Sequence, residues 1–165
     1  MRIIKLGLIS LVVFALLITG ISLFFPSHIR ISKAVDITAD KDSVMPLLND
    51  ASNWKKWYPG ADTAEYFFIE GKIKGIQTRD KQDLIITSVT DSSVEATNTG
   101  PNLKKGETGW NIFSGSVPNS VTVQWYRDFH LRWYPWEKFS SLLLEKRYGS
   151  MMEQGLFKLK SLLEK

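Results

Sequence analysis

The stretch FSSLLLEKRYGSMMEQGLFKLKSLLEK, Phe139 to Lys165, decides the fold. Its residues Leu144, Tyr148, Met151, Met152, Gly155, Leu156, Leu159, Leu162 and Leu163 recur at steps of three and four, which sets them on one stripe of an α-helix. The spacing predicts a long amphipathic helix from Ser140 to the last residues. Ser140 or Ser141 is expected to cap it, and Glu145 to bridge along its exposed face to Lys146 or Arg147. Lysines crowd its last turns, where the helix dipole favours cations. Such a helix has one face to bury, and the segments before it read as strands. A sheet curled around one helix follows.

Working back from that helix, Val121 to Leu131 and Thr108 to Phe113 read as two longer strands joined across Gly115 to Ser120. Asn98 to Gly106 reads as a loop by its glycine, proline and asparagine. Asp83 to Thr90 and Ser93 to Thr97 flank a turn at Asp91-Ser92, and Glu65 to Glu70 and Lys72 to Gln77 flank Gly71. His28 to Ile37 alternates Ile29 and Ile31 with Arg30 and Ser32 and is a seventh, half-buried strand. Every connection is too short for a crossover helix, so the sheet is antiparallel. Between the first strand and the rest, Asp40 or Asp42 can start a short helix around Val44, Leu47 and Leu48, with Pro46 expected to kink it. Asn53-Trp-Lys-Lys-Trp57-Tyr-Pro59 makes a further helical turn stopped by proline. The fold class is α+β.

Leu6 to Phe25 is twenty residues without a charge. At about 1.5 Å per residue it can cross a hydrocarbon core of about 30 Å. It exceeds the roughly 7–15 residues of a signal-peptide core, and no A-x-A site follows. Residues 1–26 are therefore expected to be an uncleaved transmembrane anchor and residues 27–165 a single domain. Arg2 and Lys5 on one side face Arg30, Lys33 and Lys41 on the other, close to a tie in positive-inside terms. Insertion behind a five-residue tail leaves the N-terminus in the cytoplasm and the domain on the periplasmic or extracellular side, single-pass. The chain has no cysteine, which excludes a disulfide framework, a lipoprotein and a thiolate metal site. Its formal charge of +4 falls to +2 once Arg2 and Lys5 are set aside, too mild for a nucleic-acid binder.

The order strand, two short helices, six strands, long helix resembles the helix-grip fold of the START-like superfamily, also called SRPBCC or polyketide cyclase/dehydrase-like. Three stretches carry the likeness. Val35 to Val44, continuing through Leu47-Leu-Asn-Asp50 to Trp54-Lys-Lys-Trp57-Tyr-Pro59, is similar to that family's opening strand, helix and W-x-x-W turn. Thr122-Val-Gln-Trp125 with Tyr134-Pro135 is similar to its last strand, and Gly149 to Lys160 to its terminal helix. The resemblance implies a pocket for a hydrophobic or amphipathic small molecule, lipid included, between sheet and helix. It implies no catalytic residue that can be placed on this sequence.

Six Trp, five Tyr and nine Phe suit a filled core or the lining of an apolar pocket. By strand parity and helix stripe, the candidate ligand-binding residues are Trp110, Phe113, Trp125, Arg127, Phe129, Met152 and Leu156, subject to a one-residue slip that would turn them outward. Arg127 shares parity with Val121, Val123 and Trp125. An inward guanidinium needs a carboxylate, on a ligand head group or within the chain at Glu95 or Glu107. His130 has the opposite parity and no second ligand nearby. No H-x-E, H-E-x-x-H, G-x-S-x-G or phosphate-cradling glycine loop occurs, so neither a metal nor a cofactor is expected. Trp133-Tyr-Pro-Trp136 fits a membrane interface, a pocket mouth, or packing at the strand-to-helix corner. Three functions remain open: a binding domain, a cyclase, dehydrase or hydrolase using the same cavity, and an interaction domain with a filled core.

Overall fold

The computed structural model describes residues 2–78, 81–100 and 103–164, with residues 103–105 described by their backbone alone. The elements in order are helix α1 (Arg2–Ser22), strand β1 (His28–Ile37), helix α2 (Lys41–Asn49), a 3₁₀ helix (Ala51–Lys56), then strands β2 (Glu65–Ile69), β3 (Lys72–Gln77), β4 (Asp83–Val89), β5 (Ser93–Gly100), β6 (Leu103–Ser114) and β7 (Val121–His130). A helical run closes the chain: α3 (Pro135–Ser140), a 3₁₀ turn (Ser141–Leu143), a π turn (Glu145–Gly149) and α4 (Ser150–Leu163). The seven strands form one antiparallel sheet in the order β1-β7-β6-β5-β4-β3-β2. The first strand thus pairs with the last, and α4 packs across the inner face: this is the helix-grip arrangement.

Each element has a local cause. The Asp40 carboxylate accepts from the Ser43 amide at 3.0 Å and starts α2, satisfying one of the donors that a helix start leaves free. Asp50 does the same for the 3₁₀ helix through Ser52. Pro46 sits inside α2 on its exposed side, where its missing N–H costs one hydrogen bond without ending the helix. Gly71, at φ 75°, and Glu70, at φ 51°, make the tight β2–β3 turn.

The W-x-x-W turn is the inner wall. Trp54 and Trp57 donate from Nε1 to the carbonyls of Leu48 and Leu47, at 2.8 and 2.9 Å, clamping the 3₁₀ helix to α2. Their rings meet Tyr58, Trp110 and Trp125 in one buried cluster with centroids 5.1–6.3 Å apart. Such pairs each add about 0.5–1.5 kcal/mol beyond area burial. From the other side Met152, Leu156 and Leu159 of α4 close the core. A Cβ on Gly155 would lie 2.7 Å from the Trp125 ring, so glycine is what lets α4 approach β7 this closely.

Three expectations about the ends of elements are corrected. The terminal helical run begins at Pro135, whose lack of an N–H costs nothing at the first helical position. Ser140 and Ser141 therefore lie inside it and donate back to the carbonyls of Glu137 and Lys138 instead of capping. Glu145 pairs not with its helix neighbours but with Lys33 of β1, at 2.7 Å, and Lys33 also holds Glu153 at 3.0 Å. The segment read as a loop, Asn98 to Gly106, is mostly paired: β5 runs on to Gly100 and β6 starts at Leu103, with Asn98 opposite Gly106. Pro101 and Asn102, part of that reading, lie outside the described residues.

Helix α1 is exposed except toward its end, where Ile18 and Thr19 are half-buried and Ser22 is buried, and is long and apolar enough to cross a bilayer; a signal sequence meets the same description. Its end is tied to the domain. The Lys138 side chain is buried, and its Nζ donates to the Phe25 carbonyl at 3.1 Å and the Ser27 hydroxyl at 2.7 Å. The Leu131 amide donates to the Ser27 carbonyl at 2.7 Å.

Candidate ligand-binding site

A cavity of about 230 Å³ lies between the sheet and the terminal helical run. The sheet contributes Leu84, Asn98 and Arg127, the β3–β4 connection Thr78 and Gln82, the segment after the 3₁₀ helix Tyr58 and Pro59, and the helical run Arg147, Tyr148 and Met151. Strand register explains the convergence. Gln77 pairs with Asp83, Asp83 with Thr99, Asn98 with Gly106, Glu107 with Asp128, and Arg30 with Asp128 on the other side. All these positions lie at one end of the sheet, the end where β1 begins and β7 finishes. Helix α1 ends at Ser22, with five residues between it and the start of β1 at that same end.

Arg127 is the central group. It is 5% exposed and shares its inward parity with Val123 and Trp125. Its Cζ sits 4.7 Å from the Tyr148 ring centroid and 5.8 Å from that of Phe129, and these two rings are 5.0 Å apart. Tyr148 also carries Arg147 on its flank, at 5.5 Å. Cation–π contacts of this kind offset part of the cost of burying a guanidinium, by about 0.5–2 kcal/mol. They do not replace a carboxylate.

None of the described carboxylates forms an ion pair with Arg127. Glu95 and Glu107, the internal partners considered from sequence, are exposed on the outer face. The neighbouring Asp128, of opposite parity, accepts two hydrogen bonds from Arg30 on that outer face. Asn98, 4% exposed, has its Oδ1 buried without a hydrogen-bond partner among the described residues. Burial pushes the Tyr58 phenol up, and the Arg127 guanidinium pulls it partly back. The cavity therefore offers fixed positive charge, an amide and aromatic faces. It can hold an anionic group; its two guanidinium groups are poor proton carriers.

Of the residues expected to line a pocket, Arg127 does. Trp110, Trp125, Met152 and Leu156 are buried in the core behind it, and Phe129 is half-buried against Tyr148. Phe113 is corrected: it is 51% exposed on the outer face, because Trp110 and Ile112 take the inward parity of β6 and Phe113 takes the other. On the terminal run, Met151 and Tyr148 line the cavity one step along the stripe from Met152. Asn98, Thr78 and Gln82 went unseen, although Asn98 continues the inward series Val94 and Ala96. His130 is exposed and stacks on His28 at 4.7 Å. Among the described residues no group of three His, Asp or Glu could hold a metal.

The fold recurs in solved structures of low sequence identity. A START superfamily protein from Mycobacterium smegmatis is 15% identical, with 82% of this chain and 97% of that one covered at a TM-score of 0.63. The protein XoxI from Bacillus cereus is 12% identical, covering 82% and 95% at 0.60. A protein of unknown function from Staphylococcus aureus is 15% identical, covering 83% and 94% at 0.59. These likenesses show the fold alone. No protein-family model and no curated protein matches the sequence.

Proposed function

We propose that the protein is a membrane-anchored helix-grip domain that binds a small amphipathic molecule with an anionic head group. Residues 1–26 serve as a single-pass anchor, with Arg2 and Lys5 keeping the N-terminus in the cytoplasm and residues 27–165 on the periplasmic or extracellular side. The observation that carries the reading is buried Arg127, which faces the cavity with no carboxylate partner among the described residues. A buried cation without a counter-charge is costly, and a ligand carboxylate or phosphate would relieve that cost. Met151, Leu84 and the ring of Tyr148 supply an apolar wall for the carbon chain.

The volume limits the ligand. About 230 Å³ is below the roughly 300–1,000 Å³ of drug-sized sites. The ring cluster of Trp54, Trp57, Tyr58, Trp110 and Trp125 fills the space deeper in. A short-chain acid fits entirely, or the head of a longer lipid enters while its tail stays outside.

Thermal unfolding of the full chain in micelles, with octanoate or octanol as probe, tests this. At ten times Kd, octanoate should add about 1.4 kcal/mol, a rise in Tm of roughly 3–6 °C for a chain of this size. Octanol should do less, and Arg127→Gln should abolish the difference. Equal shifts from acid and alcohol in the wild type would overturn the anionic-ligand reading.

A further inference from the structure

The end of α1 and the start of the terminal helical run form one apolar corner. Phe24 is 91% exposed and Leu23 69%. Trp136, Phe139 and Leu143 follow one another at steps of three and four on one stripe, with Leu142 beside them; Trp136, Leu142 and Leu143 are more than 60% exposed. Trp133 is 62% exposed, and Tyr134 between the two tryptophans stacks on Trp136 at 4.8 Å. The indoles therefore do not pack into the strand-to-helix corner.

Depth relative to a membrane follows from covalent and packing continuity. Phe24 and Phe25 end the uncharged run, within three residues of the end of α1, so the medium around that end of α1 also surrounds them. The Phe25 ring meets the Phe139 ring edge-on at 5.4 Å, and buried Lys138 grips the Phe25 carbonyl. The stripe of Trp136, Phe139 and Leu143 is thus held at the level of the last apolar residues of α1. Tryptophan, with an apolar body and one N–H donor, suits the layer between acyl chains and head groups. A short helix that keeps its polar side inward to the domain and its apolar side outward lies in the plane of that layer.

We infer that this corner docks on the bilayer surface and seats the domain with the cavity end of its sheet toward the lipid. The inference rests on the anchor reading above. Arg127 lies three residues before the end of β7, about 10 Å along the strand, and Tyr148 lies nine residues beyond Phe139, about 13 Å along the helical run. Both residues that wall the cavity therefore lie within about 15 Å of the corner, measured along the strand and the helical run.

The chain has no cysteine, so Leu142→Cys gives a unique attachment point for an environment-sensitive dye. Phe157→Cys, on the exposed side of α4 and 68% exposed, is the control. The full chain is placed in phosphatidylcholine nanodiscs, one copy per disc, and co-migration with the disc is read first. Docking predicts blue-shifted emission at position 142 and water-like emission at 157. In addition, tryptophan quenching by brominated acyl chains should be lost on W133S/W136S. A chain that stays in the disc but shows water-like emission at 142 and no W133S/W136S-sensitive quenching overturns docking alone. A chain that leaves the disc overturns the anchor as well. A blue shift that appears only with two copies per disc means a second copy covers the corner, and also overturns docking.

Discussion

The Arg30 guanidinium donates from Nε and Nη2 to the two carboxylate oxygens of Asp128, at 2.8 and 2.6 Å, closing a fork between β1 and β7. His28 Nε2 lies 3.2 Å from the same carboxylate. The Arg30 hydrogen bond holds the Asp128 carboxyl below its ordinary range, although burial pulls the other way. A lowered folded-state value makes the contribution complete above the unfolded carboxyl's pKa of about 3.9 and lost as pH falls toward the folded value. Asp128→Asn should cost about 1–2 kcal/mol at neutral pH, limited because Arg30 is half in water. Its stability should also fall less steeply than the wild type's on acidification. Denaturant titrations across the acid range measure both; parallel curves would mean that Asp128 is not the acid-sensitive group.

Gly155→Ala sets two effects against each other. Alanine should favour the helix by about 1 kcal/mol. The new Cβ would meet the Trp125 ring at 2.7 Å and the Pro59 ring at 2.9 Å, and overpacking of this kind costs about 1–3 kcal/mol. Both neighbours are parts of rigid rings, so packing should win and the melting temperature should fall. A stabilised variant would show that α4 can move off β7 freely.

Leu159 is fully buried in α4. Leu159→Ala should cost about 2–5 kcal/mol through lost burial and a residual cavity. Leu159→Asp should abolish the cooperative transition, since it drives an unpaired charge into the core. A cooperatively melting Asp variant would remove α4 from the centre of the fold.

Trp54→Phe should destabilise the domain by about 2–4 kcal/mol, combining a smaller ring with a buried Leu48 carbonyl left without its donor. Trp57→Phe, whose indole bonds the half-buried Leu47 carbonyl, should cost less. Urea unfolding of the two variants side by side reads the order; a reversed order would mean the clamp at Leu47 is the stronger one.

The architecture was legible because its signals are periodic. The strand parity of Val121, Val123, Trp125 and Arg127 and the stripe through Met152, Leu156 and Leu159 are properties of neighbours in sequence. The β5–β6 pairing through Asn98 to Gly106 was not legible, because Gly100 and Gly106 carry turn propensity that the ladder overrides. The start of the helical run was missed because Trp133-Tyr-Pro-Trp136 has no polar cap to mark it. The cavity depends on register across six strands, and its polar lining at Thr78, Gln82 and Asn98 has no local pattern. Of the site, sequence gave up only Arg127, whose charge breaks an otherwise apolar parity series.

The π turn at Glu145–Gly149 has one consequence for how the chain can vary. A π turn holds one residue more than the α turn it replaces, and each residue of an α-helix turns it by about 100°. The insertion therefore works as a phase adjuster: it lets the half before it present Trp136 and Leu143 outward while the half after it presents Met152 and Leu156 inward. Deleting Lys146 would remove the extra residue of the π turn and rotate one half against the other by about 100°. The first half is tethered through Lys138 to Phe25 and Ser27, so the torsion would fall on Arg147 and Tyr148, which wall the cavity.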